Sequence, residues 1–162
     1  MSRREYELRR VQLLPTSLER TFEFFADAAN LEAITPPFLK FRITSPQPIE
    51  MRRGALIEYR LQLFGVPFGW RTIIEEYDPP RSFVDRQLAG PYALWHHTHT
   101  FREVGGEHGK PATEMTDVVR YAIRPAILGP LAHTLFVRRT LGKIFDYRAE
   151  KIRELLVGEE LR

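Results

Sequence analysis

A chain of 162 residues with 43% hydrophobic side chains is one domain by length and carries enough apolar mass for a core. The absence of cysteine excludes disulfides, thiolate metal sites and cysteine nucleophiles. Its 24 Lys and Arg stand against 21 Asp and Glu, and no basic stripe is interleaved with stacking aromatics, so nucleic acid is not an expected partner.

Residues Tyr6 to Leu14 alternate loosely and read as a first strand, stopped by Pro15-Thr16-Ser17. Thr16 with Glu19 three residues later is a capping box, so a short helix is expected there, its apolar face made by Leu18, Phe22, Phe25 and Ala26. A second short helix, Ala28 to Ile34, ends at Pro36-Pro37. From Phe38 the period becomes two. Phe41 and Ile43 alternate with polar neighbours, and after a turn at Arg53-Gly54 the run Ala55, Ile57, Tyr59, Leu61, Leu63 is the clearest half-buried strand. Gly65 to Gly69 is a reversal, and Trp70, Thr72 and Ile74 belong to the return strand. Asp78-Pro79-Pro80, Gly90-Pro91 and Gly105–Pro111 then separate strands at Arg81–Leu88, Leu94–Val104 and Ala112–Ile123.

Pro125–Pro130 is a hinge into a long helix, Pro130 to Val157. At about 100° per residue, Leu131, Leu135, Leu141, Phe145, Ala149, Ile152 and Leu156 share one broad face of it. Such a helix is about 40 Å long and needs a large complementary surface. Short turns between successive strands favour an antiparallel meander, and six strands against one helix must curl around it. The fold class is therefore α+β: a curved antiparallel sheet of six to seven strands around one long C-terminal helix, with two short helices after the first strand. The segment Met1–Leu14 has no apolar leader and no run approaches ~18 apolar residues. Membrane insertion is not expected, and the chain reads as cytoplasmic.

This order of elements resembles the helix-grip superfamily of START domains, Bet v 1 proteins and polyketide cyclases (the SRPBCC group). Local phrases resemble a bacterial branch of small proteins often labelled cyclase/dehydrase-like. They are Phe24-Phe25-Ala26-Asp27 with Asn30-Leu31, Ile34-Thr35-Pro36-Pro37, Phe83-Val84-Asp85-Arg86-Gln87, Trp95-His96-His97-Thr98-His99-Thr100-Phe101, Thr116-Asp117 and Gly129-Pro130-Leu131. The resemblance implies a pocket for a hydrophobic ligand between sheet and helix, with residues 1–162 forming a single ligand-binding domain. The superfamily includes enzymes, carriers and receptors, so fold alone does not choose among them.

Strand alternation puts Trp95, His97, His99 and Phe101 on one face, and the aromatic ends mark it as the inner one. Met115, Asp117, Val119, Tyr121 and Ile123 share a face of the last strand, as do Phe83, Asp85 and Gln87 of a shorter one. An inner surface bearing Asp85, Gln87, His97, His99, Asp117 and Tyr121 is too polar for a pure core. Its groups either satisfy one another, meet the polar end of a ligand, or move a proton. The His97-Thr98-His99 spacing also occurs in zinc sites, with Asp85 or Asp117 as further ligands, but spacing alone assigns no metal and no cofactor is implied. His96 and His108 read as solvent-facing. Tyr59 and Trp70 extend the aromatic wall.

Arg138 lies within about 20° of Phe145 on the wheel, inside the apolar stripe. It must reach solvent at the rim, pair with Asp85 or Asp117, or bind an anionic ligand group. Gly142 and Ala149, beside the same stripe, leave room either for a cavity or for a close strand. The first functional expectation is a monomeric or homodimeric binder of a small hydrophobic or amphipathic molecule (a lipid, polyketide or isoprenoid). Tyr59, Trp70, Asp85, Gln87, Trp95, His97, His99, Asp117, Tyr121 and Arg138 would line that site. The second is a cyclase or dehydratase in which His97 and Asp117 are the acid/base pair and Tyr121 or Arg138 holds the enolate. A third is a partner-binding protein with a filled core, docking through Tyr147 and its basic helix face.

Overall fold

The structure, a computed structural model, describes residues 4–63, 65–124 and 133–158. Along the described chain run β1 (Tyr6–Leu14), α1 (Leu18–Ala26), α2 (Asn30–Ala33), β2 (Arg42–Ile43), β3 (Leu56–Leu63), β4 (Val66–Asp78), β5 (Ser82–Ala89), β6 (Tyr92–Gly105), β7 (Pro111–Ile123) and α3 (Arg138–Gly158). All strand pairs are antiparallel, in the order β1-β7-β6-β5-β4-β3-β2. The expected meander runs from β2 to β7, and β1 closes onto β7 with Tyr6 opposite Tyr121 and Leu14 opposite Thr113. The short helices therefore carry the chain from one edge of the sheet to the other.

Two faces of the sheet follow from the period-two pattern. The outer face is a ladder of cross-strand ion pairs, among them Arg71 with Glu58, Arg86 with Glu75 and Arg102 with Glu114. The inner face is apolar and holds two aromatic-rich clusters. One joins Phe22 and Phe25 of α1 to Phe83, Phe101 and Met115 of the sheet and to Ile152 and Leu156 near the end of α3. The other joins Val137, Leu141 and Phe145 to Leu61, Trp70, Tyr92, Val119 and Tyr121. The helix thus touches the sheet at both ends, with the polar residues between.

Several expectations need correction. Thr16 is not the helix cap: its backbone N–H bonds back to Leu14 O, which turns the side chain into the core, where its hydroxyl has no partner. Ser17 caps α1 instead, its Oγ accepting from Arg20 N at 3.3 Å. The reversal is tighter than Gly65–Gly69, because Leu63 already pairs with Val66; Gly65, at φ +76°, takes the positive φ of the turn. Phe64, Leu131 and the Pro125–Pro130 hinge lie outside the described residues. The long helix opens with a wide π turn, His133–Val137, which breaks the 100° register. Leu135 consequently faces solvent at 56% exposure and Val137 faces inward at 7%. Gly142 and Ala149 face β1 through its side chains: a Cβ on Gly142 would meet only Arg10 Nη2, at an ordinary 3.7 Å, and Gln12 Nε2 donates to Ala149 O at 2.7 Å.

The capping assignment has a simple test in urea denaturation. Ser17→Ala is expected to lower stability by about 1 kcal/mol. Thr16→Val, which removes only an unpartnered hydroxyl, is expected to leave it unchanged or raise it.

Candidate functional site

Register brings the polar inner residues together. On β6, His97 lies opposite Asp85 of β5, and His99 lies opposite Asp117 of β7. The hydrogen bonds run along the diagonals, within reach of side chains two residues out of register. His97 Nε2 is 2.7 Å from Asp117 Oδ1, and His99 Nε2 is 2.7 Å from Asp85 Oδ2. The remaining contacts close a ring of alternating imidazoles and carboxylates. His97 Nδ1 is 3.6 Å from Asp85 Oδ2, and His99 Nδ1 is 3.0 Å from Asp117 Oδ1 but without hydrogen-bond direction. The two imidazoles lie face to face, centroids 3.7 Å apart and planes 31° apart. Phe83 stacks on His99 at 4.1 Å and Phe145 sits 5.6 Å from His97, so each aromatic cluster caps one imidazole.

A fifth member, absent from the sequence reading, comes from α3. Arg148 places its guanidinium 3.9 Å from Asp117 Oδ1, with its side chain 12% exposed, between the rings of Phe25 and Phe145. The wheel holds the signal that would have found it, since Arg148 follows Leu141 by seven residues and lies within about 20° of it. Arg138, singled out instead, is exposed.

These contacts fix the protons. Burial opposes ionisation of Asp117, yet the charge of Arg148, the hydrogen bond from His97 and the close approach of His99 hold its carboxyl well below the usual range. Burial likewise opposes ionisation of Asp85, and the neighbouring imidazoles, with the hydrogen bond from His99, bring it below its usual value. Two ionised carboxylates only accept hydrogen bonds, so each Nε2 carries a hydrogen. For His99, burial is outweighed by the carboxylates of Asp117 and Asp85 beside it, and its pKa is raised, toward the imidazolium. For His97, burial and the charge of His99 prevail over the carboxylates, and its pKa is lowered, toward the neutral ring that donates from Nε2 to Asp117 and leaves Nδ1 bare. Asp85, Asp117, His99 and Arg148 then sum to zero charge.

Beside this cluster lies a cavity of about 170 Å³. Tyr59, Trp70, Trp95, Phe145 and Phe24, Phe25, Ala28 and Leu31 of the α1–α2 segment give it apolar walls. Asp85, His97, His99 and Arg148 contribute the polar cluster, and Asp27 and Asn30 add polar groups from the α1–α2 segment. Of the expected site residues, Tyr59, Trp70, Asp85, Trp95, His97 and His99 line it. Asp117 stands behind the imidazoles. Gln87 instead latches the β5–β6 turn, donating to Tyr92 O at 2.9 Å and accepting from Tyr92 N at 3.3 Å. Tyr121 packs into the second aromatic cluster, stacked on Tyr6 at 5.6 Å. His96 sits on the outer face near Glu75, and His108 is exposed.

Asp85, His97 and His99 offer nitrogen and oxygen atoms within 4.8 Å of one another. A metal needs lone pairs that converge on one point about 2 Å from each atom. Imidazoles lying nearly face to face send theirs almost side by side, and both Nε2 atoms are committed to carboxylates. The arrangement suits proton sharing better than coordination.

Comparison with known proteins reaches the same architecture. No family model and no curated protein matches the chain. Among solved structures it is similar to the protein TTHA0849 of Thermus thermophilus, at 18% identity, covering 95% of this chain and 99% of that one with a TM-score of 0.70. A START superfamily protein from Mycobacterium smegmatis shares 12% identity over 96% and 99% of the two chains, TM-score 0.66. The Zhui aromatase/cyclase of Streptomyces sp. R1128 shares 15% over 94% and 96%, TM-score 0.62. At such identities the likeness is one of fold, and the fold is the helix-grip: an antiparallel sheet around a long C-terminal helix. Among the described residues no helix is long and apolar enough to cross a membrane.

The proton assignment makes the cluster's stability depend on pH in two opposite ways. The raised His99 contributes stability that is full below its ordinary value of 6.5 and lost as pH rises through the folded value. The depressed Asp117 contributes stability that is full above 3.8 and lost as pH falls through the folded value. In urea denaturation at pH 5, each of His99→Gln and Asp117→Asn is expected to cost about 3–5 kcal/mol. The His99→Gln deficit is expected to shrink on the alkaline side and the Asp117→Asn deficit on the acid side.

Proposed function

We propose that this protein binds a small, largely apolar molecule in the cavity between its sheet and α3. The carrying observation is a room with aromatic walls whose buried ionisable side chains, Asp85, His97, His99 and Arg148, belong to one cluster, the other charged lining residue, Asp27, being exposed. That division suits a ligand with an apolar body and one polar group. The volume limits the guest. About 170 Å³ is below the ~300–1,000 Å³ of drug-sized pockets and close to the ~150 Å³ cavity that takes up benzene. A molecule of one or two rings fits whole; a lipid, polyketide or isoprenoid enters with one end. Relatives in fold include a protein named for the START superfamily and one named an aromatase/cyclase, which supports a ligand-binding role and leaves catalysis to the site chemistry. A cytoplasmic location accords with this reading.

A second reading, cyclase or dehydratase chemistry, is favoured by one feature: the bare Nδ1 of His97, backed through Nε2 by Asp117, is placed as a base at the cavity wall. In that reading Arg148 replaces Tyr121 and Arg138 as the group facing an enolate. The filled-core alternative has little support while the cavity stands open.

Native mass spectrometry of protein taken directly from cells tests the binding reading. A retained small molecule is expected in the wild type and its loss in Ala28→Phe, which puts a ring into the cavity wall. A wild type that is empty in every preparation would count against binding.

A further inference from the structure

Arg148 is the least satisfied group in the site. A guanidinium offers five N–H donors in a planar fork, and buried donors are normally paired. Arg148 makes no hydrogen bond among the described residues: its Nε is buried without a partner, and its nearest acid, Asp117, stands at 3.9 Å. The rings of Phe25 and Phe145 hold it beside the cavity it helps to line. The two carboxylates of the cluster are already engaged by His97 and His99. The nearest oxyanion thus stands beyond hydrogen-bond range of the fork, which leaves its donors open to a planar oxyanion carried by a guest.

Charge balance adds a second requirement. With His99 charged and His97 neutral, the directions in which their surroundings push them, the cluster sums to zero, and a guest anion would leave one uncompensated negative charge in a poorly solvated space. One atom is placed to correct this. His97 Nδ1 is bare and 3.6 Å from Asp85 Oδ2, in a ring already hydrogen-bonded to Asp117 through Nε2. The charged or titratable groups around it are Asp85 on β5, His99 on β6, Asp117 on β7 and Arg148 on α3, with Tyr59 of β3 beyond Asp85. A proton from solvent on Nδ1 makes His97 an imidazolium between two carboxylates and restores neutrality.

We propose that the guest of this cavity is a small organic anion, a carboxylate carried on one or two apolar rings, seated on Arg148 and bound together with one proton that His97 takes up. The proposal rests on the binding reading above and narrows it to a ligand class.

The probes are 2-naphthoate and naphthalene, the same ring system with and without the carboxylate. Both tryptophans of the chain, Trp70 and Trp95, line the cavity, so their fluorescence reports occupancy by either. Naphthalene is expected to bind with an affinity independent of pH. Affinity for 2-naphthoate is expected to fall about tenfold per pH unit on the alkaline side, as one proton must be taken up. His97→Gln is expected to flatten that slope. Arg148→Met is expected to weaken 2-naphthoate at least tenfold and spare naphthalene, with Arg148→Lys recovering part of the loss. Naphthalene binding with 2-naphthoate excluded, or bound without pH dependence, would overturn the anion proposal and leave the cavity reading standing. Failure of both probes would remove both.

Discussion

Two carboxylates taken out of water are the constraint around which this molecule is arranged. Asp85 and Asp117 project into the interior from strands on either side of β6, and each would be far too costly there alone. Their compensation comes from two separate elements: a shared imidazolium and a neutral donating imidazole on β6, and a guanidinium on α3. No single strand satisfies them. Correct register of β5, β6 and β7 is needed together with correct docking of α3. The cluster therefore rewards the native arrangement and penalises a one-residue slip, which would turn its members to the wrong face. Such a network is weak proof of high stability, because apolar replacements of equal shape are often as stable; its contribution is to specificity of structure and to the chemistry of the site.

The same cluster shapes the space around it. Imidazoles capped by Phe83 on one side and Phe145 on the other divide the interior into two aromatic regions, one under α1 and one under the start of α3. Apolar side chains that closed over Asp85 would strip its remaining hydration, and its side chain keeps 18% exposure at the cavity wall. The cavity and the charges are thus linked: a room next to a charged wall needs polar contents, water in the free protein or the polar end of a guest. Arg148 faces the same room.

Much of this is readable from the residues. Alternation along Trp95–Phe101 places both imidazoles inside, and the same rule places Asp85 and Asp117 with them, because a period of two leaves little choice once the aromatic ends fix the face. The long terminal helix and the meander from β2 to β7 need only periodicity and turn residues, whereas the closure of β1 onto β7 is a long-range pairing that they do not reveal. What escapes has local causes. Gln87 shares a face with Asp85, but it lies next to a hairpin turn, and turn geometry decides its partners. Arg138 shares the stripe with Phe145 on the wheel, but it is the first residue of α3 and is exposed there, so its place along the helix, which the wheel does not show, decides its surroundings. Arg148 obeys the wheel, but a single arginine among apolar neighbours carries no mark of burial until the carboxylate opposite it is known. The diagonal pairing of histidines and aspartates is beyond sequence, since it depends on side-chain rotamers that only packing selects.

Two imidazoles 3.7 Å apart are pushed in opposite directions by their surroundings: His99 toward the imidazolium, and His97 toward the neutral ring with its hydrogen on Nε2. Nitrogen-15 NMR of the ring nitrogens measures this directly, because protonated and bare ring nitrogens resonate far apart. At neutral pH two protonated nitrogens are expected on His99 and a single bare one, Nδ1, on His97. Two neutral rings, two imidazoliums, or a hydrogen on His97 Nδ1 with Nε2 bare would contradict that assignment.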